Sequence, residues 1–197
     1  MDKLKGTKEL DMENYAFLYD RVQCNLNYKQ LYGTQVNWTH NGEASSFRGI
    51  IKENEVDKRR AAFGLLPLRI YALHYGFKYS LPTAEAASKK DQKDRESTLA
   101  LINEAKEKFK TKEFQKVYDN YNNASMILGG MSSDQNLEAS ELFAKIYNQN
   151  HEEQYRSISI DFLSLNKLRG DLNLKALLAN KDFVSFYSEA RWKELLD

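Results

Sequence analysis

The sequence has almost none of the residues with which proteins build disulfides, metal sites or membrane spans. Its single cysteine, Cys24, cannot form an internal disulfide, and one thiolate cannot build a metal cage. The three histidines, His40, His74 and His151, lack the spacing of a metal-binding motif, and we expect each at the surface or in a turn. We therefore expect no bound metal. No run of about 18 apolar residues occurs either, so we expect no membrane span.

An excess of charge of one sign is lacking as well. The chain carries 29 Lys and Arg against 28 Asp and Glu, a net charge of +1, so no overall field attracts nucleic acid or anionic lipid. A phosphate-cradling glycine loop, a nucleophile elbow and a dinucleotide fingerprint are also missing from the sequence. We therefore expect no nucleic-acid partner and no cofactor.

The first residues of the sequence bear on cellular location. The chain opens with Met-Asp-Lys-Leu-Lys-Gly, which lacks the apolar core of a signal peptide. On that basis we expect a cytoplasmic protein, or a secreted or periplasmic one if the chain is processed from a longer precursor. The sequence carries no signal for an oligomeric state.

The residues that are present fit a mainly α-helical protein with one small β element. Hydrophobic residues make up 42% and aromatic residues 12%, enough to bury a core in one compact domain or two small ones. The apolar pattern divides the chain into three parts. We expect a small α+β module over residues 1–80, a linker or the start of a long helix over 81–96, and an array of helical hairpins over 97–197.

The N-terminal module is expected to pair a helix with a β-hairpin. Apolar side chains recur at three- and four-residue spacing over residues 11–26, and Asp11 fits the N-cap position of that helix. Cys24 lies in the apolar stripe and is expected to be a small buried hydrophobe rather than a reactive thiol. Short aromatic and β-branched segments then flank Asn41-Gly42, a pair that favours a tight turn, which predicts a hairpin within residues 31–52.

After residue 95 the apolar residues follow the helical period throughout. We expect at least four helices there, with a break at Gly129-Gly130 and a stop at Gly170. Two large aromatic residues, Phe183 and Trp192, stand in the tail. We expect both to be buried, because the end of a helical array has to cover its last apolar face.

Three short motifs stand in order in the N-terminal half. They are Asp20-Arg21, Tyr32-Gly33-Thr34-Gln35, and Arg59-Arg60 followed by Gly64-Leu65. Over roughly residues 10–76 the chain resembles the C-terminal half of a family of uncharacterised bacterial proteins, known only by a domain-of-unknown-function label. That family has an Asp-Arg pair, a Tyr-Gly-Thr-Gln turn and an Arg-Arg-x-x-x-Gly-Leu helix end. The resemblance names relatives and implies no chemistry.

The chain departs from that family in one respect. Family members carry a longer helical stretch with a Gln-His-Ala segment before the Asp-Arg helix, whereas only Met1 to Leu10 precedes that helix here. We therefore expect any activity that rests on that histidine to be absent. The chain is then expected to be a truncated or specialised member.

The tail resembles a second kind of protein. Two segments, Asn180-Lys181-Asp182-Phe183 and Ala190-Arg191-Trp192-Lys193-Glu194-Leu195-Leu196, look like the ending of many bacterial tetratricopeptide-containing proteins. Paired helices of about 14 residues joined by tight turns are typical of that repeat. The resemblance implies an array of helical hairpins whose concave face binds another protein.

The motif residues form the candidate ligand-binding site. They are Asp20, Arg21, Tyr32, Thr34, Gln35, Arg59 and Arg60. The Tyr-Gly-Thr-Gln turn offers a hydroxyl and an amide that could bind a polar small molecule or, equally, satisfy the backbone groups of a loop. We expect one arginine to pair with Asp20 or Asp57 as a structural clamp, with an anion site as the alternative.

A stripe of aromatic residues is the candidate partner-binding surface. Phe109, Phe114, Tyr118 and Tyr121 recur at helical spacing, which is typical of a core and also of a groove that receives a peptide. If a groove lies there, Tyr118 and Tyr121 are the residues expected to contact the partner.

Two functions remain open from the sequence. The first is a non-enzymatic protein of bacterial type that binds another protein, as an adaptor or as its neutraliser. The second is a small-ligand-binding protein or an enzyme of undescribed chemistry, with its site around Tyr32, Gln35, Arg59 and Asp20. No catalytic residue is assigned, because no nucleophile or paired carboxylate accompanies Asp20 in the sequence. A cavity gathering those side chains favours the second function, and an exposed apolar surface favours the first.

Overall fold

The computed structural model describes residues 11–197 and confirms a mainly helical fold with a small β-hairpin near the N-terminus. The first elements are α1 (Met12–Asn25), β1 (Val36–Trp38), β2 (Ala44–Phe47), α2 (Val56–Ala61) and α3 (Leu68–His74). They are followed by α4 (Ala84–Lys110), α5 (Phe114–Ser125), α6 (Ser133–Asn150), α7 (Glu153–Arg169), α8 (Leu174–Ala179), a 3-10 helix (Lys181–Phe186) and α9 (Ala190–Leu196). The opening segment, where the sequence lacks a signal-peptide pattern, lies outside the described residues.

The chain divides into two compact units. Among the described residues, unit 1 comprises 11–100 and 124–130, and unit 2 comprises 101–123 and 131–197. Residues 81–96, expected as a linker or the start of a long helix, contain the first turns of α4, which begins at Ala84. Two boundaries between the units therefore fall inside α4 and α5, and the third, between residues 130 and 131, falls in the loop before α6.

Helix α1 begins and buries its inner face as the sequence predicts. The Asp11 side chain accepts hydrogen bonds from the backbone N–H groups of Glu13 and Asn14, which otherwise lack partners in the first turn. The buried residues of the helix lie at one- and four-residue steps along a single face: Tyr15, Ala16, Asp20 and Cys24. Burial raises the pKa of the Cys24 thiol, so this side chain behaves as a small hydrophobe.

The β-hairpin lies within the expected range and presents one apolar and one polar face. Strands β1 and β2 are antiparallel, with Val36 opposite Phe47 and Asn37 opposite Ser46. Val36 and Phe47 enter a hydrophobic cluster in the core of unit 1, and the other buried members of this cluster are Ile50, Val56, Leu68 and Ala72. Because side chains alternate along a strand, Asn37 and Ser46 lie on the opposite face.

Helices α2 and α3 are joined by a short connection that is held by a side chain. The carboxylate of Asp57, on α2, accepts a hydrogen bond of 2.7 Å from the backbone N–H of Leu68, the first residue of α3. Pro67 precedes Leu68 and has an extended conformation, with φ −50° and ψ 143°. Asp57 therefore satisfies one of the free N–H groups at the start of α3.

In unit 2, helices α6 and α7 form an antiparallel hairpin. Ser132 caps α6 in a capping box with Gln135, as expected for an N-cap after the Gly129-Gly130 break. Contacts between the two helices run in opposite order along the chain, through the pairs Asn136–Asn166, Ser140–Ser159 and Tyr147–Glu153. Helix α7 ends at Gly170, which has the left-handed conformation with φ 79°.

The tail of the chain closes the core of unit 2. Phe183 is 0% exposed and Trp192 is 1% exposed, which confirms the prediction that both are buried. The Trp192 ring lies 5.4 Å from that of Phe183 and 5.7 Å from that of Phe186, between centroids. These contacts hold the 3-10 helix against α9.

Residues 11–197 include no helix both long and apolar enough to cross a membrane. Within the same range, no group of three or more His, Cys, Asp or Glu side chains is placed to hold a metal ion. His40, His74 and His151 are all exposed, as their positions in the sequence predict.

Candidate functional site

The motif residues meet around the loop that joins α1 to β1, and Asp20 is at the centre of the arrangement. Its side chain is 0% exposed. One carboxylate oxygen accepts hydrogen bonds from the backbone N–H groups of Leu31 (2.7 Å) and Tyr32 (3.0 Å). The other accepts from the backbone N–H of Thr34 (2.9 Å) and from the Thr34 hydroxyl (3.0 Å). Asp20 therefore holds the Tyr-Gly-Thr-Gln turn to α1.

The turn needs glycine at position 33. Gly33 has φ 71°, a backbone conformation that residues other than glycine rarely adopt. A Cβ atom there would lie 2.8 Å from a methyl carbon of Leu68 and 3.1 Å from one of Ile50. Next to it, the buried ring of Tyr32 packs on Phe63, with centroids 4.6 Å apart. The turn is therefore packed against the interior of unit 1.

A glutamine outside the candidate list supports the same loop. The Gln30 side chain is 0% exposed. Its amide nitrogen donates to the backbone oxygens of Gln35 and Arg48, each at 2.8 Å, and its amide oxygen accepts from the Gln35 backbone N–H at 2.8 Å. Gln35 itself donates from its side chain to the Thr34 hydroxyl at 3.1 Å. No sequence pattern indicates the Gln30 contacts, which join residues five and eighteen positions apart.

Arg59 binds one backbone oxygen within the loop and another in the segment after β2. Its Nε donates to the carbonyl oxygen of Leu31 at 2.8 Å, and one terminal nitrogen donates to that of Ile51 at 2.6 Å. Its ion pair is a long contact of 3.9 Å with Glu55, one turn earlier on the helix. Burial lowers the pKa of the Arg59 guanidinium, against the opposing effect of Glu55.

Arg60 is the more deeply buried of the two arginines, at 1% exposed. Its Nε donates to the carbonyl oxygen of Leu66 at 2.6 Å, and a terminal nitrogen donates to that of Tyr32 at 2.7 Å. The guanidinium lies over the ring of Tyr71, 4.6 Å from its centroid. Burial lowers the pKa of Arg60, and these oxygens and the aromatic ring compensate its charge.

The predicted pairing of an arginine with Asp20 or Asp57 is wrong. Both carboxylates are taken by backbone N–H groups, and both arginines are taken by backbone carbonyls. The arginines do act as clamps, but they clamp the backbone rather than a carboxylate. Arg21, the other basic residue of the motifs, is exposed on α1 and does not join this arrangement.

The side chains of Asp20, Arg59 and Arg60 are directed at the backbone of the protein itself. Both oxygens of Asp20 are occupied by donors from the loop, so the carboxylate could accept a substrate proton only if the loop moved. Cavities of about 460, 400 and 270 Å³ lie elsewhere and are lined by other residues. The motif residues therefore brace a loop, which is the structural alternative weighed for them.

The aromatic stripe does not form a partner-binding groove at Tyr121. Tyr121 is 0% exposed and packs on the rings of Phe143 and Phe162, at centroid distances of 5.6 and 6.1 Å. It belongs to the core of unit 2 and cannot contact a partner without unfolding. Tyr118, one turn earlier, is partly exposed. The helical spacing of the stripe is typical of a core, and α5 has few other large apolar residues with which to fill one.

A different apolar surface is exposed near the end of the chain. Large side chains on α8, on the 3-10 helix and at the residue that follows it remain accessible: Leu174 (39% exposed), Leu178 (47%), Val184 (56%) and Tyr187 (40%). We call these four residues the C-terminal patch. The Tyr187 hydroxyl donates to the carbonyl oxygen of Leu178 at 2.9 Å, so the two elements present their apolar residues side by side.

Comparisons of the chain with protein-family models, with curated proteins and with solved structures give no match. The resemblances to a domain-of-unknown-function family and to tetratricopeptide-containing proteins therefore stay predictions.

Proposed function

We propose that this protein is a non-enzymatic interaction protein, an adaptor or neutraliser that binds another protein through the C-terminal patch. The observation that carries the proposal is the exposure of four large apolar side chains on two adjoining elements of unit 2. Single exposed apolar residues are normal on a protein surface, whereas contiguous ones are typical of an interface.

Helix α8 and the following 3-10 helix each have two apolar faces. In α8, Leu177 is buried at 3% exposed, while Leu174 and Leu178 face outwards. In the 3-10 helix, Phe183 is buried while Val184 faces outwards. A surface helix with a single apolar face buries that face against the core of its own chain. The second apolar face is unpaired in the single chain, and a partner protein would cover it.

The patch is held in place before any partner arrives. Tyr187 stacks on the buried Trp192, with ring centroids 5.8 Å apart, and its hydroxyl is bonded to the backbone of Leu178. Asn173 caps α8 by accepting a hydrogen bond from the N–H of Ala176. A surface that is already ordered loses less entropy on binding, which favours affinity.

The finer sequence predictions belong to this proposal. We propose that residues 97–197 form a tetratricopeptide-like array, which the antiparallel α6–α7 hairpin supports. We also propose that the N-terminal module is related to the domain-of-unknown-function family whose three motifs it carries. In that module the motif residues would maintain the fold and take no part in recognition.

The alternative function, a small-ligand site or an undescribed enzyme around Tyr32, Gln35, Arg59 and Asp20, draws no support from the contacts of these side chains. That hypothesis expects these side chains to line one cavity. Asp20 and Arg59 bind backbone groups of the protein instead, and Gln35 binds the hydroxyl of Thr34. No observation on these residues favours a ligand over the loop.

A capture experiment with matched variants tests the proposed function. Tagged wild type, a Leu178→Asp/Val184→Asp variant and a Leu73→Asp control are used as baits in lysate from the native host. Leu73 is 61% exposed in unit 1, so its substitution introduces an aspartate on an apolar surface outside the patch. We expect one protein to be retained by wild type and control and lost with the patch variant. A partner retained equally by all three baits would contradict the assignment of the patch.

A further inference from the structure

A cavity of about 400 Å³ lies beside the polar face of the β-hairpin in unit 1. Its polar wall includes Asn37, Ser46 and Arg48, and the apolar part of its lining includes Ile127 and Leu128. None of these residues belongs to the motifs, and none belongs to the C-terminal patch. The cavity is thus separate from everything assigned above.

The alternation of the hairpin places three polar side chains on the cavity side. Phe47 turns towards the core of unit 1, so its neighbours Ser46 and Arg48 lie on the other face. Asn37 is the cross-strand partner of Ser46 and shares that face. A hydroxyl, an amide and a guanidinium therefore line one cavity, and a small number of such polar groups fixes the orientation of the ligand in a small-molecule site.

Arg48 differs from Arg59 and Arg60, the two arginines of unit 1 whose side chains bind the backbone. Arg59 and Arg60 donate to backbone carbonyls, whereas the Arg48 guanidinium has no hydrogen bond or ion pair with any residue in the range 11–197. Arg48 is nevertheless only partly exposed. Its planar set of N–H donors is suited to two oxygens of a carboxylate or phosphate.

Ser46 has a hydrogen-bond donor to spare. Its hydroxyl oxygen accepts from the side-chain nitrogen of Asn37 at 3.0 Å, which leaves the hydroxyl hydrogen available. Asn37 is oriented by a second hydrogen bond of 3.3 Å to the backbone oxygen of Phe47. The hydroxyl is therefore positioned by the hairpin and is a donor on the same wall as Arg48.

The remaining charged groups near the cavity compensate one another. Asp94 lines the cavity, but its carboxylate is bound by the Lys29 ammonium at 2.6 Å, and Lys29 also binds Asp91 at 2.7 Å. Lys90, at the rim, is paired with Glu53 at 2.8 Å. These two lysines and three carboxylates have a summed formal charge of −1. The positive charge of Arg48 brings the local sum to zero, although Arg48 forms no ion pair with any of these carboxylates.

We propose that this cavity binds a small organic oxyanion, with the carboxylate or phosphate group held by Arg48 and Ser46 and the apolar body against Ile127 and Leu128. The anion accepts hydrogen bonds from the guanidinium and the hydroxyl. The apolar wall favours a ligand that carries hydrocarbon beside its charge. The site is independent of the protein-binding function proposed for the C-terminal patch.

Titration of the isotope-labelled full chain by NMR tests the proposal. The probes are benzoate, phenyl phosphate and, as a neutral control of similar shape, benzyl alcohol. We expect saturable shifts of the Arg48 side-chain N–H and the Gly49 and Leu128 amides with an anionic probe and none with the alcohol. Binding of only one of the two anions supports the site and identifies its chemistry.

Variants separate the site from general charge effects. Arg48→Gln should weaken binding at least about tenfold, the loss expected when about 1.4 kcal/mol of charge-assisted hydrogen bonding is removed. Ser46→Ala should weaken it by a smaller factor, and because Ser46 is exposed this variant is expected to fold. Arg69→Gln, an exposed arginine on α3, should bind as wild type.

Three results would overturn the proposal. They are no saturable shift with either anion up to its solubility limit, equal binding of benzyl alcohol, and unchanged binding by the Ser46→Ala and Arg48→Gln variants. If Arg48→Gln does not fold, Arg48→Lys replaces it. Lysine keeps the charge without the planar fork, so it should bind more weakly than arginine, and equal affinity would contradict the role given to the guanidinium.

Discussion

The carboxylate of Asp20 accepts hydrogen bonds from both the backbone N–H and the side-chain hydroxyl of Thr34, fourteen residues further along the chain. Two residues that look like parts of a binding site in the sequence are thus partners inside the fold. Their relationship explains why the Asp-Arg and Tyr-Gly-Thr-Gln motifs occur together. The first supplies a buried acceptor, and the second supplies the donors that satisfy it.

Replacement of Asp20 should destabilise the protein strongly. Asp20→Asn keeps the shape but puts an amide N–H₂ where the loop presents donors, so buried N–H groups lose their acceptor. We expect the free energy of unfolding to fall by about 2–4 kcal/mol, from the cost of lost hydrogen bonds to a charged group. Urea denaturation measures it, with Glu43→Gln, at an exposed acid of the hairpin turn, as the control. An equal effect of both substitutions would contradict this account of Asp20.

Tyr121→Phe should be neutral or stabilising. The Tyr121 hydroxyl is buried and has no hydrogen-bond partner in the structure, so its burial is a cost that phenylalanine avoids. Burial also raises the pKa of this phenol, as expected for a group held away from water. We expect an increase of up to about 1 kcal/mol in the free energy of unfolding. A loss of stability in Tyr121→Phe would show that the hydroxyl has a partner.

Trp192→Ala should destabilise unit 2 because this ring is packed on three other aromatic rings. Large-to-small changes in a core cost about 3–5 kcal/mol for tryptophan. We therefore expect Tm to fall by about 10 °C. Removal of residues 171–197 should lower it at least as much. Leu168→Ala, at a residue 71% exposed, is the control and should leave Tm unchanged.

The ion pairs of Lys29 should make stability depend on pH in the alkaline range. Burial lowers the pKa of the Lys29 ammonium, but hydrogen bonds and charge from Asp91 and Asp94 outweigh it and raise the pKa above the usual 10.5. A raised lysine pKa gives stability that is complete below pH 10.5 and is lost as the pH rises through the folded-state value.

The comparison of wild type with Lys29→Gln isolates that contribution. We expect the variant to be less stable by about 1 kcal/mol near neutral pH and the difference to shrink at about pH 11. Urea midpoints at the two pH values provide the measurement. Lys89→Gln breaks the exposed pair with Glu85 and should change little at either pH. A difference between wild type and Lys29→Gln that stays constant with pH would contradict the proposed origin.

Local features of the fold could be predicted from the sequence because they depend on neighbouring residues. The N-cap at Asp11, the stop at Gly170 and the hairpin around Asn41-Gly42 follow from residue type and spacing alone. The burial of Phe183 and Trp192 followed from the need to cover the end of a helical array. The first three inferences use an interaction range of a few residues, and the last uses only the need of a large aromatic side chain for burial.

The partners of the motif residues could not be predicted in the same way. Arg59 and Arg60 bind carbonyls 28 positions earlier in the chain, at Leu31 and Tyr32, and no sequence pattern announces a backbone acceptor. A carboxylate is the usual partner of a buried arginine, and the prediction of that partner was wrong here. Ser46 and Arg48 were within reach of sequence reasoning, because strand alternation alone places them on one face.

Hydrogen–deuterium exchange of the captured complex tests the central claim most directly, that recognition occurs at the C-terminal patch and that the motifs brace a loop. With the partner bound, we expect slower exchange in peptides that cover residues 174–187 and unchanged exchange across residues 30–35 and 56–65. Slower exchange confined to the motif peptides, with residues 174–187 unaffected, would contradict the account and return the function to the motif residues.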